Sequence, residues 1–125
     1  MGKFRFRKGE RLNKKKSIEE LFEKGTSFSA FPLKVIFKKF QQKDDATSHQ
    51  VLISVPSRNF ARAVDRNKLK RRIREGYRLN RATLPPAPLL RLAYIYIAKE
   101  ILPSRTIHLA IQSSFTRLIN NEKKD

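Results

Sequence analysis

Apolar and polar residues alternate along residues 31–40. Because successive side chains of an extended chain point to opposite faces, this period predicts a strand with one buried face and one basic face. Residues 51–55 and 92–98 are short apolar runs, which are typical of buried strands, and Pro56 ends the first of them. The alternating residues are Leu33, Val35 and Phe37 on the apolar side, and Lys34, Ile36 and Lys38 on the basic side.

Three further segments have the three- and four-residue apolar spacing of amphipathic helices. They are residues 17–24, 60–80 and 105–120. Ser17 is the predicted N-cap of the first helix, and Gly25 is its predicted C-terminal glycine. The predicted order is therefore helix, strand, strand, helix, strand, helix. One small sheet with alternating elements indicates a two-layer α/β or α+β sandwich.

The net charge of the chain indicates which class of partner it binds. In 125 residues, 29 Lys and Arg oppose 11 Asp and Glu, which gives a formal net charge of +18. Such an excess is typical of a protein that binds a polyanion, with nucleic acid as the first candidate and an anionic membrane surface as the second. The 39% hydrophobic content suits one core. We predict a basic arm (residues 1–16), a single RNA-binding domain (17–120) and a charged tail (121–125).

Several kinds of site are disfavoured. The chain has no cysteine, so disulfides and thiolate zinc sites are excluded. Its two histidines, His49 and His108, lack metal-ligand spacing, and no metal site is predicted. No glycine-rich phosphate loop or serine nucleophile motif is present, so no self-sufficient hydrolytic site is expected. No secretory signal or apolar run of membrane length is present, and we expect a cytoplasmic protein without membrane attachment.

Positive charge is concentrated in residues 58–81, where ten Lys or Arg residues oppose two acidic ones. On a helix, one stripe is formed by Leu69, Ile73, Gly76 and Tyr77, and the basic ridge beside it by Lys70, Arg74 and Arg78. Like charges four residues apart destabilise an isolated helix, and the solvent-exposed face of a helix usually carries both acidic and basic residues. The basic ridge therefore predicts contact with phosphates.

The sequence Ala-Val-Asp-Arg-Asn-Lys-Leu-Lys-Arg-Arg-Ile-Arg-Glu at residues 63–75 resembles the signature of the bacterial ribonuclease P protein subunit, A-V-x-R-N-R-x-K-R-x-x-R-E/Q. Arg11-Leu12, Phe22 and Gly25-Thr26-Ser27 are similar to the opening motif of that family. The resemblance covers about residues 4–119. The chain departs from the family pattern at Lys68, where the family usually has arginine, at the turn 56–59, and at the proline cluster 84–88.

The resemblance implies a particular fold and chemistry. The fold is an α+β sandwich of order α-β-β-β-α-β-α, ribosomal protein S5 domain 2-like, with a left-handed crossover through the basic helix. Residues 31–55 would then hold three strands. The family protein binds ribonuclease P RNA and precursor tRNA and assists removal of the 5′ leader. Catalysis belongs to magnesium ions held by the RNA, so no cofactor or metal is expected on the protein alone.

The resemblance, together with the charge pattern, assigns roles to particular residues. A monomer is expected, with one protein per RNA. The predicted RNA-binding residues are Arg58, Arg62, Arg66, Asn67, Lys68, Lys70, Arg71, Arg74 and Arg78. The predicted leader cleft is formed by Ile18, Phe22, Lys34, Ile36 and Lys38.

Three other functions are alternatives, and the sequence disfavours two of them. A ribosomal or general RNA-binding structural protein is the main alternative, because composition alone does not distinguish it. A DNA-binding regulator would need a short helix before residues 62–80, whereas a strand is predicted there. A membrane-surface helix would need a wider apolar stripe with interfacial aromatic residues.

Overall fold

The computed structural model describes residues 10–40 and 48–123, with side chains described to residue 120. The first nine residues of the predicted basic arm and the last two of the predicted tail lie outside the described residues. The order α-β-β-β-α-β-α that the resemblance implies is confirmed, whereas the order predicted from the apolar pattern lacks one strand before the second helix. A 3-10 turn at Arg81–Thr83 is additional. The elements are α1 (Lys15–Lys24), β1 (Thr26–Ala30), β2 (Leu33–Phe40), β3 (Gln50–Ser54), α2 (Ala63–Asn80), β4 (Leu89–Tyr96) and α3 (Ser104–Lys123).

The four strands form one sheet in the order β1-β2-β4-β3. β2 pairs antiparallel with both β1 and β4, whereas β3 pairs parallel with β4 and reaches it through α2. The expectation of three strands within residues 31–55 is wrong, because the first of the three, β1, lies before this range. In the described residues 31–40 and 48–55, the strands are β2 and β3. Thr26 to Ala30 contains one large apolar residue, Phe28, and this largely exposed edge strand shows no strong apolar alternation.

α2 and α3 cover one face of the sheet and enclose the main core. The predicted apolar stripe of α2 is confirmed, since all four of its residues are buried. Tyr77 packs edge-on against Phe115 at 5.7 Å between ring centroids, and the Tyr94 hydroxyl shares a 2.8 Å hydrogen bond with Ser114. The central residues of this core are Leu33, Val35, Phe37, Leu69, Ile73, Leu92, Tyr94, Ile107 and Ile111. This packing fixes the rotation of α2, and with it the direction of the charged flanks.

The crossing of α2 and α3 depends on Gly76. A Cβ atom at this position would lie 2.6 Å from Ile111 Cδ1 and 2.8 Å from His108 Cδ2. His108 is thus partly enclosed at the helix crossing. The absence of a side chain at Gly76 lets the two helices approach closely.

α1 lies on the opposite face of the sheet, where Leu21 packs against Ile36 and Ala93. The helix begins at Lys15, and its N-cap is Lys14, which makes no side-chain capping bond. The prediction of Ser17 as the N-cap is therefore wrong. Gly25 ends the helix with φ −73°, which any residue adopts. Glycine is required there by close packing, since a Cβ atom would lie 2.4 Å from the Leu21 carbonyl oxygen and 2.8 Å from Ile36 Cγ2.

Residues 10–12, here called the edge segment, run beside β3. The Val51 amide donates to the Glu10 carbonyl oxygen at 2.7 Å, and the Leu12 amide donates to the Val51 carbonyl oxygen at 2.9 Å. Arg11 forms a parallel bridge with Val51, and Leu12 is buried with the α1 cluster. Part of the predicted basic arm therefore belongs to the folded domain, and it covers the outer edge of β3.

Candidate nucleic-acid interface

A basic groove lies between the edge segment, α1, β3 and α2. It has a volume of about 450 Å³ and is open to solvent. Leu52 and Ile53 of β3 supply apolar surface, and Ile18 of α1 lies at its side. Cations come from two elements: Arg11 from the edge segment, and Lys70 and Arg74 from α2. Positive walls over apolar surface are the combination by which proteins bind extended single-stranded nucleic acid.

The cations of the basic groove have no carboxylate partner among the described residues. Within residues 10–40 and 48–120, no ion pair joins Arg11, Lys70 or Arg74 to an acidic side chain. Burial, followed by the neighbouring charge of Arg11, lowers the pKa of Arg74 below its ordinary value. Three converging cations repel one another, and a bound anion would offset that repulsion.

The third residue of the predicted basic ridge, Arg78, lies in an adjoining pocket. This pocket is lined by Glu10, His49, Tyr77, Arg78 and Arg81. The basic ridge therefore divides between two recesses, one lined by Arg11 of the edge segment and the other by Glu10. Lys70 and Arg74 face the basic groove, and Arg78 faces the pocket beside the end of α2.

The other predicted RNA-binding residues differ in exposure and in whether their side chains are hydrogen-bonded within the protein. Arg66 Nη1 donates to the carbonyl oxygens of Phe60 and Ala61, each at 2.8 Å, and so holds the loop before α2. Lys68 is half-buried on the opposite flank of α2. The exposed residues of the set are Arg58, Arg62, Asn67 and Arg71.

The predicted leader cleft is only partly open. Ile36 is 6% exposed beneath α1, so it belongs to the core and is corrected from the cleft floor. Lys38 is half-buried and lies 3.7 Å from Glu20 of α1, which also approaches Arg91 at 3.9 Å. Alternation in the sequence showed that these strand residues share a face, but it could not show that a helix covers the middle of that face.

The accessible part of this face is the next row of the sheet. Ser29, Lys34, Ile95 and Ser54 are register neighbours across all four strands, and each is exposed or half-buried. We call these four residues the open row. Phe22 of α1 is 45% exposed. Of the predicted cleft residues, Lys34 thus lies in the open row, Ile18 lines the basic groove, and Phe22 remains accessible.

Arg11 is the site residue that sequence reasoning missed. It appeared there only as part of an opening motif, in a segment predicted as an arm. The available signal was its position between Glu10 and the apolar Leu12, which is unusual in a wholly solvated basic arm. Its place in the groove depends on pairing with Val51, a contact that no local pattern encodes.

The histidines and acids offer no metal centre in the described ranges. His49 is buried, with Nδ1 accepting from the Leu90 amide at 2.9 Å and Nε2 donating to the Pro85 carbonyl oxygen at 2.8 Å. Among residues 10–40 and 48–120, no group of three or more metal-ligating side chains comes together. Among the described helices, none is long and apolar enough to cross a membrane.

The fold and the basic groove together define a basic α+β sandwich of the kind that works with nucleic acid. The family model described as Ribonuclease P matches residues 6–123. The chain therefore belongs to the ribonuclease P protein family. It is a protein component of an RNA-processing endonuclease that acts in tRNA processing and has an RNA partner.

Individual relatives agree with this membership. The chain is 34% identical over 123 residues to the ribonuclease P protein component of Porphyromonas gingivalis. This alignment covers 94% of this chain and 89% of the relative. The ribonuclease P protein of Thermotoga maritima superposes with a TM-score of 0.70 at 25% identity, over 86% of this chain and 96% of that one. The Staphylococcus aureus protein has the same fold, with a TM-score of 0.67 at 20% identity, over 83% and 90%.

Proposed function

We propose that this chain binds the catalytic RNA of ribonuclease P and the 5′ leader of precursor tRNA, and that it thereby assists cleavage of the leader. The observation that carries the proposal is the basic groove, in which Lys70 and Arg74 of α2 lie near apolar residues of β3 and form no ion pair with a described acidic side chain. Such a surface suits a flexible single strand better than a rigid duplex. Its affinity should fall steeply with salt, because phosphate binding releases counterions.

Two surfaces suit the two RNA partners. The exposed cations around the start of α2, Arg58, Arg62 and Arg71, suit the phosphates of a folded RNA, with Asn67 beside them. Lys68 and Arg78 extend that surface along α2. The basic groove and the open row suit the leader, with Lys34 for a phosphate and Phe22 for a base. Lys38 contributes in this proposal only after its contact with Glu20 is exchanged for a phosphate.

The protein's residues act by binding and orientation. Arginine and lysine side chains hold the leader in one path and reduce repulsion between phosphates near the scissile bond. Magnesium, held by the RNA subunit, would supply the hydrolytic chemistry. One protein per RNA and a cytoplasmic location stay predictions.

Reconstitution tests this proposal. The full chain is combined with a bacterial ribonuclease P RNA and precursor tRNA at low magnesium concentration, and cleavage rate and substrate affinity are measured with leaders of increasing length. We expect the protein to raise both, with a gain that grows until the leader spans the basic groove and the open row. A chain that binds RNA but changes neither quantity would instead be a general RNA-binding protein.

A further inference from the structure

A partly buried ion pair joins the edge segment to the 3-10 turn that follows α2. Glu10 is 3% exposed, and its Oε1 lies 2.6 Å from Nη1 of Arg81, which is 71 residues away in the sequence. Burial, then the charge of Glu10, raises the pKa of Tyr77, so this carboxylate also lies near the core ring of α2. A buried carboxylate is costly without a hydrogen-bonded partner, so the pair strongly constrains where Glu10 can lie.

This constraint carries over to the neighbouring residue. Glu10 and Leu12 are each hydrogen-bonded to Val51 through the backbone, and Leu12 is also buried. Arg11 stands between these two fixed residues, and its own side chain is exposed at the basic groove. The Cα of Arg11 therefore has little freedom, while its guanidinium remains available to a ligand.

We propose that the Glu10–Arg81 pair positions Arg11, which completes a phosphodiester site with Lys70 and Arg74 in the basic groove. The proposal rests on the proposed function, and its ligand is the backbone of single-stranded RNA. Lys70 and Arg74 come from one helix and reach the groove from one side; Arg11 reaches it from the edge segment. A phosphate between them meets cations from two directions, and the planar arginine fork can bind two of its oxygens. Glu10 is a positioning residue that does not itself touch RNA.

The first test measures the salt dependence of binding to a fluorescent single-stranded RNA oligonucleotide. Arg11→Ala should lower the slope of log K against log salt by about 0.7, the value for one phosphate contact with a single strand. Arg105→Ala is the matched control, because Arg105 is exposed at the start of α3 and its loss changes the net charge equally. Equal slopes for the two variants would overturn the phosphodiester site.

The second test uses the sign of a charge change. Glu10→Gln makes the protein more positive, so charge alone would tighten RNA binding. Loss of Arg11 positioning predicts the opposite, a several-fold weaker affinity. Glu100→Gln is the matched control, since Glu100 is an exposed acid whose replacement adds the same charge. Tighter binding by Glu10→Gln, equal to that of the control, would contradict the positioning role.

A double variant and a local probe separate positioning from general loss of structure. If Glu10 acts through Arg11, adding Glu10→Gln to Arg11→Ala should cause no further loss of affinity. The Leu12 amide should exchange faster in Glu10→Gln, while amides in the α2 interior stay protected. Additive losses, or unchanged Leu12 exchange, would overturn the positioning role. If Glu10→Gln does not fold, Arg81→Lys replaces it, since a lysine keeps the charge but loses the fork, and the same double-variant comparison decides.

Failure of this inference differs from failure of the proposed function. A wild-type protein that assists cleavage while Arg11→Ala behaves as Arg105→Ala would refute only the site. A wild-type protein that leaves cleavage unchanged, although Arg11→Ala flattens the salt slope, would refute the cleavage role and leave the phosphodiester site standing.

Discussion

Arginine residues serve different purposes in and around α2. The Arg66 guanidinium donates hydrogen bonds to two loop carbonyl oxygens, whereas Arg62, four residues earlier, is exposed. The sequence predicted the total charge and its placement on one flank, because both follow from helical spacing. The sequence could not show which cationic side chains form hydrogen bonds within the protein, since those bonds depend on how the loop before α2 folds against the helix.

Arg66 should therefore matter for stability. Arg66→Ala leaves the Phe60 and Ala61 carbonyl oxygens without their charged donor, and we expect a loss of about 1–2 kcal/mol in the free energy of unfolding. Arg62→Ala, which changes the charge equally at an exposed position, should stay within about 0.5 kcal/mol. Urea unfolding monitored by circular dichroism measures both variants, and equal values would deny Arg66 a structural role.

The elements were predicted better than their junctions. α2, α3 and the core strands were identified because each has a strong apolar period. β1 was misplaced because a serine- and threonine-rich edge strand has little apolar period. Glycine after α1 was recognised, but its cause was misassigned: the residue is needed for the approach of α1 to Ile36, which only the assembled sheet creates.

Gly25→Ala tests how tightly α1 is seated on the sheet. Gly25 has an ordinary φ, so alanine would normally stabilise by about 0.4–1 kcal/mol through the unfolded state. Here the added Cβ meets the Leu21 carbonyl oxygen and Ile36, and we expect a net loss of about 1–3 kcal/mol.

The same variant should loosen α1 selectively. Hydrogen exchange at the Leu21 amide should accelerate more than exchange at Ile73 in α2. Thr26→Ala, at the exposed neighbouring position, is the control for the added alanine and should have little effect. A Gly25→Ala protein more stable than wild type would show that α1 can shift on the sheet without a loss in the free energy of unfolding.

At the scale of the molecule, the sheet separates the main core from the candidate binding surfaces. The face toward α2 and α3 holds the main core, while the other face and the β3 edge carry the open row and the basic groove. The fold class followed from the order of elements and the resemblance. The groove did not follow, because it is formed by four elements distant in sequence, one of them the edge segment.

This separation places all three tyrosines, Tyr77, Tyr94 and Tyr96, on the core side. Burial is the main cause that raises the pKa of each above the ordinary value of about 10. A folded-state pKa above the unfolded value means that the contribution to stability is complete below about pH 10 and is lost as the pH rises beyond it. The intact fold should therefore resist tyrosine ionisation.

Alkaline titration should then be cooperative for the whole molecule. As the pH rises above about 10, tyrosinate absorbance should stay low until the chain unfolds, and it should then appear in one step together with the loss of circular dichroism. The same chain in concentrated urea is the control, and its tyrosines should titrate near their ordinary pKa of about 10. Tyrosinate that forms near pH 10 while the circular dichroism remains native would mean that the core admits solvent without unfolding. In that case the face toward α2 and α3 would not be the stable support that holds the basic groove in place.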